Sequence, residues 1–207
     1  MEIIIATKNP GKAKEFQEIF APLGYEVKTL LDLKDIPDVE ETGTTFAENA
    51  ILKAEMTSVL LNQVVIADDS GLVIDALDGK PGVYSARYAG LEKNDDANID
   101  KVLTELNGVP QENRTAHFHC TLAVAIPGQE TKLFTGICNG LILTERRGNN
   151  GFGYDPIFYI PDLGKTMAEL LPDEKNNISH RGQAIKQLRN WVNKHFKKGE
   201  TDESANL

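Results

Sequence analysis

The stretch Ala67-Asp68-Asp69-Ser70-Gly71-Leu72 decides how the rest of the chain is read. It follows Val64-Val65-Ile66, an apolar run that reads as a buried strand, and it breaks that strand with two adjacent carboxylates. Burying two anions at a strand end costs several kcal/mol per charge unless cations or hydrogen-bond donors meet them. Ser70 and Gly71 then offer a hydroxyl and a permissive backbone for a tight exit. Taken alone, the four residues Asp-Asp-Ser-Gly fit an ordinary acidic turn equally well. What favours a charged site is the supply of lysine- and glycine-bearing loops elsewhere in the chain.

Upstream, Ile3-Ile4-Ile5-Ala6 is a short strand of the fully buried kind, and Phe16, Ile19 and Phe20 recur at helical spacing beyond it. The connection, Thr7-Lys8-Asn9-Pro10-Gly11-Lys12, places polar side chains, two lysines and backbone N–H groups near a helix N-terminus, where anions bind readily. It lacks the glycines and the Lys-Ser/Thr pair of a Walker A loop, and by itself it reads more readily as a plain strand-to-helix connection. Tyr25 to Leu30 alternates as a strand, and Glu40-Glu41-Thr42-Gly43 forms an acidic loop. Thr44 or Thr45 caps the next helix, with Glu48 spaced for a capping box from Thr45. Lys53 shares a stripe of that helix with Phe46, Ala50, Ala54 and Thr57, so it faces either solvent or a site.

Downstream, Leu72-Val73-Ile74 reads as a further strand segment and Gly79-Lys80-Pro81-Gly82 as a turn. An amphipathic helix follows from Asn94 to Leu106. From Arg114 the chain becomes β-rich: Thr115 to Ile126 and Lys132 to Leu143 make a hairpin around Pro127-Gly128-Gln129-Glu130. His117 and His119 fall on one strand face without a third or fourth ligand, so they read as strand histidines rather than zinc ligands. Phe152-Gly153-Tyr154-Asp155-Pro156 follows a run of glycine and asparagine that lets backbone approach a ligand, with Phe152 free to stack on a flat ring. A hairpin corner with one core aromatic is the simpler alternative. Ser179 caps a last helix whose Ile185, Leu188, Val192 and Phe196 point inward. That puts His180 and Arg181 in its first turn, the wrong end for cations unless an anion lies there.

The 207 residues carry 22 basic and 31 acidic side chains, a net charge of −9, which gives no basic excess for coating nucleic acid or an anionic membrane. Cys120 and Cys138 sit in apolar runs and read as buried hydrophobes in a reducing compartment. No basic leader region or transmembrane-length run is seen, so a cytoplasmic protein is expected.

Read together, the segments Thr7 to Lys12, Glu40 to Gly43 with Phe46 and Glu48-Asn49-Ala50, Ala67 to Leu72, Phe152 to Pro156 and Ser179-His180-Arg181 resemble the inosine/xanthosine triphosphate pyrophosphatases, the dITP/XTP diphosphatase family. Their order and spacing span nearly the whole chain. The resemblance implies an α/β fold of two lobes around a long, bent, mixed central sheet flanked by helices, with the active site in the cleft between lobes. Residues 1–196 would form this single two-lobed domain, the second lobe running over about 114–160, with 197–207 a polar, disordered tail. It implies a homodimer, a Mg2+ requirement, and hydrolysis of purine nucleoside triphosphates (ITP, dITP, XTP) to monophosphate and pyrophosphate. By the same resemblance Asp69 is the proton acceptor and a metal ligand, with Glu40 as the second carboxylate. The Glu40-Glu41 pair does not itself say which member faces the ion. Thr7, Lys8, Asn9, Pro10, Gly11, Lys12 and Ser70 would hold the phosphate chain, with Lys53 as a further candidate. Phe152 would stack on the base, and Gly153, Tyr154, Asp155, Lys175, His180 and Arg181 would complete the nucleoside pocket. Two other readings compete: a non-catalytic nucleotide-binding protein, and a different metal-dependent phosphohydrolase.

Overall fold

The computed structural model describes residues 2–33 and 36–196, with the side chains of 193–196 left aside; the tail expected over 197–207 lies outside the described residues. The fold is α/β, built on one seven-stranded mixed sheet in the order β2-β1-β3-β4-β5-β6-β7. Here β1 is Glu2–Ile5, β2 Glu26–Thr29, β3 Val65–Ile74, β4 Thr115–Ala125, β5 Lys132–Ile142, β6 Phe158–Ile160 and β7 Lys165–Thr166. β1 runs parallel to β2 and β3, and every later pairing is antiparallel. The β-rich region from Arg114 onward therefore extends the same sheet that the N-terminal strands begin.

The expected break at Asp68-Asp69 does not occur. β3 runs straight through it, with Asp68 opposite Leu122 and Asp69 opposite Thr121 on β4. A continuous ladder with β4 outweighs the local turn preference of Asp-Ser-Gly. On its other edge, β3 pairs with β1 only at Val65 and Ile66, after which β1's chain leaves as the Thr7 to Lys12 loop. Ligands of open α/β sheets bind where neighbouring strands part in this way.

Pleating sends alternate β3 residues to opposite faces. Ile66 joins Cys120, Leu122 and Val124 beneath α1 (Pro10–Phe20) and α5 (His180–Phe196), against Phe16, Phe20, Ala184, Ile185 and Leu188. Val65 and Ala67 join Ala123 and Ala125 beneath α2 (Phe46–Leu61), against Ala50 and Ala54. Farther along, Leu72 and Ile74 pack with Ile99, Val102 and Leu106 of the α3 region, α3 being Asp95–Glu105, and with Ile157 and Phe158. Asp68 thus inherits the α1/α5 face and Asp69 the α2 face.

Thr45 and Ser179 cap their helices as the sequence predicts, and Asn9 supplies a further cap. Asn9 Oδ1 accepts from Lys12 N at 3.0 Å with Pro10 at the first helical position of α1. Thr45 and Glu48 close the capping box of α2. Ser179 Oγ accepts from Gly182 N at 3.1 Å at the start of α5, which follows the short helix α4 (Pro172–Ile178). His119 is engaged away from any metal role: its ring stacks on Phe46 at 4.7 Å and its Nε2 lies 3.0 Å from Thr121 Oγ1.

Candidate active site

A cleft of about 950 Å³ opens beside the free edge of β3 and is lined by every residue the sequence singled out: Thr7 to Lys12, Glu40, Lys53, Asp69, Ser70, Phe152 to Asp155, Lys175, His180 and Arg181. Glu41, Asp68 and Arg87 also line it.

The two aspartates meet opposite environments. Asp68 is fully buried; its carboxylate is ion-paired with Lys12 and accepts from Arg181 Nε (3.0 Å), Ser70 Oγ (2.9 Å) and Cys120 Sγ (3.1 Å). Burial alone would raise its pKa, but Arg181 and Lys12 outweigh burial and hold it well below the carboxylate range. Asp69 Oδ1 accepts from Lys53 Nζ at 3.3 Å, and its buried Oδ2 has no hydrogen-bond partner among the described residues. Burial pushes its pKa up, and Lys53 and Lys12 do not reverse the shift. Neighbouring carboxylates driven apart in this way divide the labour: one stays a fixed anion and the other is poised to take a proton.

Lys53 Nζ also donates to Glu41 Oε1 (2.7 Å) and to the Asp68 carbonyl (2.8 Å), which is open because no strand pairs that edge. Burial would lower the Lys53 pKa, but Asp69 and Glu41 raise it on balance, so it stays an ammonium. The other Glu41 oxygen accepts from Arg87 Nη1 at 3.1 Å. Burial is again outweighed, here by Lys53 first, and the Glu41 pKa is lowered. Of the acidic pair, Glu41 turns toward Asp69 through Lys53, while Glu40 is exposed at the rim.

The other end of the cleft is built around Glu15, which the sequence reading did not identify. Glu15 lies on the inward face of α1 and accepts from Lys175 Nζ (2.7 Å) and from Arg181 Nη1. Burial opposes its ionisation, but Arg181 and Lys175 lower its pKa to about 2. Lys175 also donates to Asp155 Oδ2 at 2.6 Å. Arg181 spends its three nitrogens on Asp68, Glu15 and Ser70, the last through Nη2 at 2.9 Å. The anions demanded by a cation in the first turn of α5 are therefore the protein's own Asp68 and Glu15. The available signal was spacing: Lys12, Glu15, Phe16 and Ile19 share one helical stripe, and an acid in an apolar stripe needs a buried cation.

Phe152 lies over Gly11, where a Cβ would come within 2.6 Å of the ring, so only glycine fits there. The Lys175 ammonium is 5.0 Å and the Arg181 guanidinium carbon 5.8 Å from the ring centroid. His180 is buried and stacked on Phe118 at 4.8 Å. Burial, then Arg181, holds its pKa well down, so the ring is neutral, and its Nδ1 has no partner among the described residues. Three of the candidate residues have largely structural bonds: Asn9 caps α1, Thr7 Oγ1 accepts from Asn9 N (3.2 Å), and Tyr154 Oη donates to the Ser85 carbonyl (2.8 Å). Lys8 sits at the rim on Asp38 at 2.7 Å.

A hard divalent cation fits the donor set. Asp69 offers an unpartnered buried oxygen, and Glu41 is a second carboxylate that shares Lys53 with it. Among the described residues no three acidic, histidine or cysteine side chains form a closed cage. An ion of the magnesium type, which keeps waters and binds through substrate phosphates, matches such a sparse site.

The sequence model of the Ham1 family matches residues 3–191. The chain belongs to the Ham1 family. This Ham1 family member is 64% identical over 187 residues to the dITP/XTP pyrophosphatase of Geobacillus kaustophilus, covering 90% of this chain and 92% of that one. It is 61% identical over 187 residues to the dITP/XTP pyrophosphatase of Bacillus subtilis, covering 90% and 94%. Among solved structures, the Ham1 fold seen here matches the Staphylococcus aureus Ham1 protein with a TM-score of 0.83 and 49% identity, over 94% of this chain and 99% of that one. The Coxiella burnetii HAM1 protein matches with a TM-score of 0.83 and 44% identity over the same shares.

Proposed function

We propose that this chain hydrolyses inosine, deoxyinosine and xanthosine triphosphates to the monophosphate and pyrophosphate, clearing deaminated purines from the nucleotide pool. The observation that carries the reading is the pairing of Asp69, with its raised pKa and unpartnered Oδ2, to a fixed anion, Asp68, at the foot of a cation-lined cleft. Family membership and the names of the relatives support it.

In this mechanism water attacks the α-phosphorus and its proton passes to the Asp69 carboxylate. A new P–O bond forms, the bond from the α-phosphorus to the bridging oxygen breaks, and pyrophosphate leaves with its electron pair. Lys12, Lys53 and Ser70, with the Thr7 to Lys12 loop, face the phosphate chain. Asp68 does not take the proton; it holds Lys12 and Arg181 in place. Asp69 with Glu41, or with the rim carboxylate Glu40, would hold Mg2+, which when bound gathers phosphate oxygens and offsets charge on the leaving group. The lobed description and the homodimer belong to the same proposal and rest on the family resemblance; a cytoplasmic location is the sequence expectation carried into it. Among the described residues no helix is long and apolar enough to cross a membrane.

At the base end Phe152 supplies stacking for any purine, which gives affinity and little choice. Choice comes from donors: Lys175 keeps a third N–H beyond those on Glu15 and Asp155, and a 6-keto oxygen accepts where adenine's amino group cannot. Arg181, committed to Asp68, Glu15 and Ser70, anchors this end. Sites that leave a buried donor unpaired discriminate by about 10⁴ or more. The test is a panel of nucleoside triphosphates with Mg2+, scored for products. Inosine and xanthosine triphosphates should exceed ATP by orders of magnitude in kcat/KM, with GTP between them or poor. Binding without turnover would support a non-catalytic binder, and release of inorganic phosphate would support another phosphohydrolase.

A further inference from the structure

The turn carrying Phe152 is held by two carboxylates, one buried and one at the surface. Asp155 Oδ2 accepts from Phe152 N at 2.9 Å. From the opposite side Asp95, the first residue of α3 and 58 positions away, accepts from Gly153 N at 2.8 Å. The Gly153 N–H lies in the same peptide plane as the Phe152 carbonyl, so the two bonds clamp the peptide units on both sides of Phe152. Such clamping matters here because Gly148, Gly151 and Gly153 all have positive φ, at 81°, 78° and 60°. A segment with that much backbone freedom keeps one shape only through its ties. The same helix end also secures the start of the loop, where Arg146 Nη2 donates to the Asp96 carbonyl (3.2 Å) and to Asp100 (2.8 Å).

We infer that Asp95 is a positioning residue for the nucleobase: by fixing the Gly153 amide it sets the plane of the Phe152 ring over Gly11. Asp95 lines the cleft and acts through the Gly153 amide. The inference rests on Phe152 being the base platform.

The test measures binding of inosine monophosphate and of pyrophosphate to the wild type, Asp95→Ala, Asp95→Asn and Glu92→Ala, together with kcat and KM for inosine triphosphate. Asp95→Ala should weaken inosine monophosphate about tenfold, the effect of losing one hydrogen bond to a charged group. KM should rise with kcat nearly unchanged, and pyrophosphate affinity should stay at the wild-type value. Asp95→Asn keeps an acceptor oxygen and should restore most of the loss. Glu92→Ala removes a charge from the exposed segment just before α3, outside the cleft lining, and should behave as wild type. Unchanged inosine monophosphate binding in Asp95→Ala, or equal loss of both ligands, would overturn the inference. A wild type that binds pyrophosphate and no inosine monophosphate would instead defeat the base-site reading on which it rests.

Discussion

At the residue scale, the site is a set of carboxylates sorted by their cations. Asp68 is held ionised by Arg181 and Lys12, whereas Asp69 is pushed up by burial, which Lys53 and Lys12 do not reverse. Asp69→Asn keeps the volume and removes the proton acceptor, so turnover should fall by about 10²–10⁴-fold or more with an unchanged melting temperature. Near wild-type turnover at saturating Mg2+ would remove Asp69 from that role. Glu15 bridges Lys175 and Arg181, and replacing one partner of a buried pair costs about 3–5 kcal/mol. Glu15→Gln should show that loss in urea denaturation at neutral pH. Its pKa falls from 4.5 to about 2 on folding, so its contribution is complete above pH 4.5 and disappears as pH falls through about 2. The gap between wild type and Glu15→Gln should therefore narrow over that window; a constant gap would place the charge elsewhere. The Asp68-Asp69 pair stands out in the sequence because two acids after an apolar run demand counter-charges, while the choice of Asp69 comes from the family resemblance. Glu15 left only the faint signal of an acid in an apolar helical stripe, and nothing in a single sequence links it to its partner lysine 160 residues away.

At the element scale, local propensity and ladder pairing disagreed at one place, and the ladder prevailed. Asp-Ser-Gly after a strand reads as a turn, yet ten residues of pairing with β4 carry β3 through it. The longer strands and helices were readable from periodicity and caps, as at Thr45 and Ser179, whereas the Asn9 cap, the short strands β6 and β7 and helix α4 were not. The pairing of β1 with β3 over two residues, which opens the cleft, is a property of topology that periodicity does not carry. The α5–β5 contact shows how tightly the site's last helix is seated: a Cβ at Gly136 would lie 2.0 Å from the His180 carbonyl oxygen and 2.7 Å from Ala184 N. Gly136→Ala should therefore destabilise by about 1–3 kcal/mol through overpacking and should also weaken nucleotide binding, since α5 carries His180 and Arg181. A variant as stable and active as wild type would mean α5 shifts freely, contrary to the account.

At the scale of the whole molecule, an acidic protein of net charge −9 takes a highly charged anion as substrate by converging its cations on one cleft. Those cations are already matched by acids: Lys12 and Arg181 by Asp68, Lys53 by Glu41 and Asp69, Lys175 by Glu15 and Asp155. A triphosphate therefore brings uncompensated negative charge, and turnover should stop in a chelator and return with added Mg2+. Full activity in the chelator would mean that the lysines and arginines neutralise the phosphates unaided. The measurement that tests the central claim most directly is hydrolysis of inosine triphosphate in ¹⁸O-labelled water. Attack at the α-phosphorus, with Asp69 taking the proton, puts the label in inosine monophosphate and leaves pyrophosphate unlabelled. Label in pyrophosphate, or release of inorganic phosphate in its place, would contradict it.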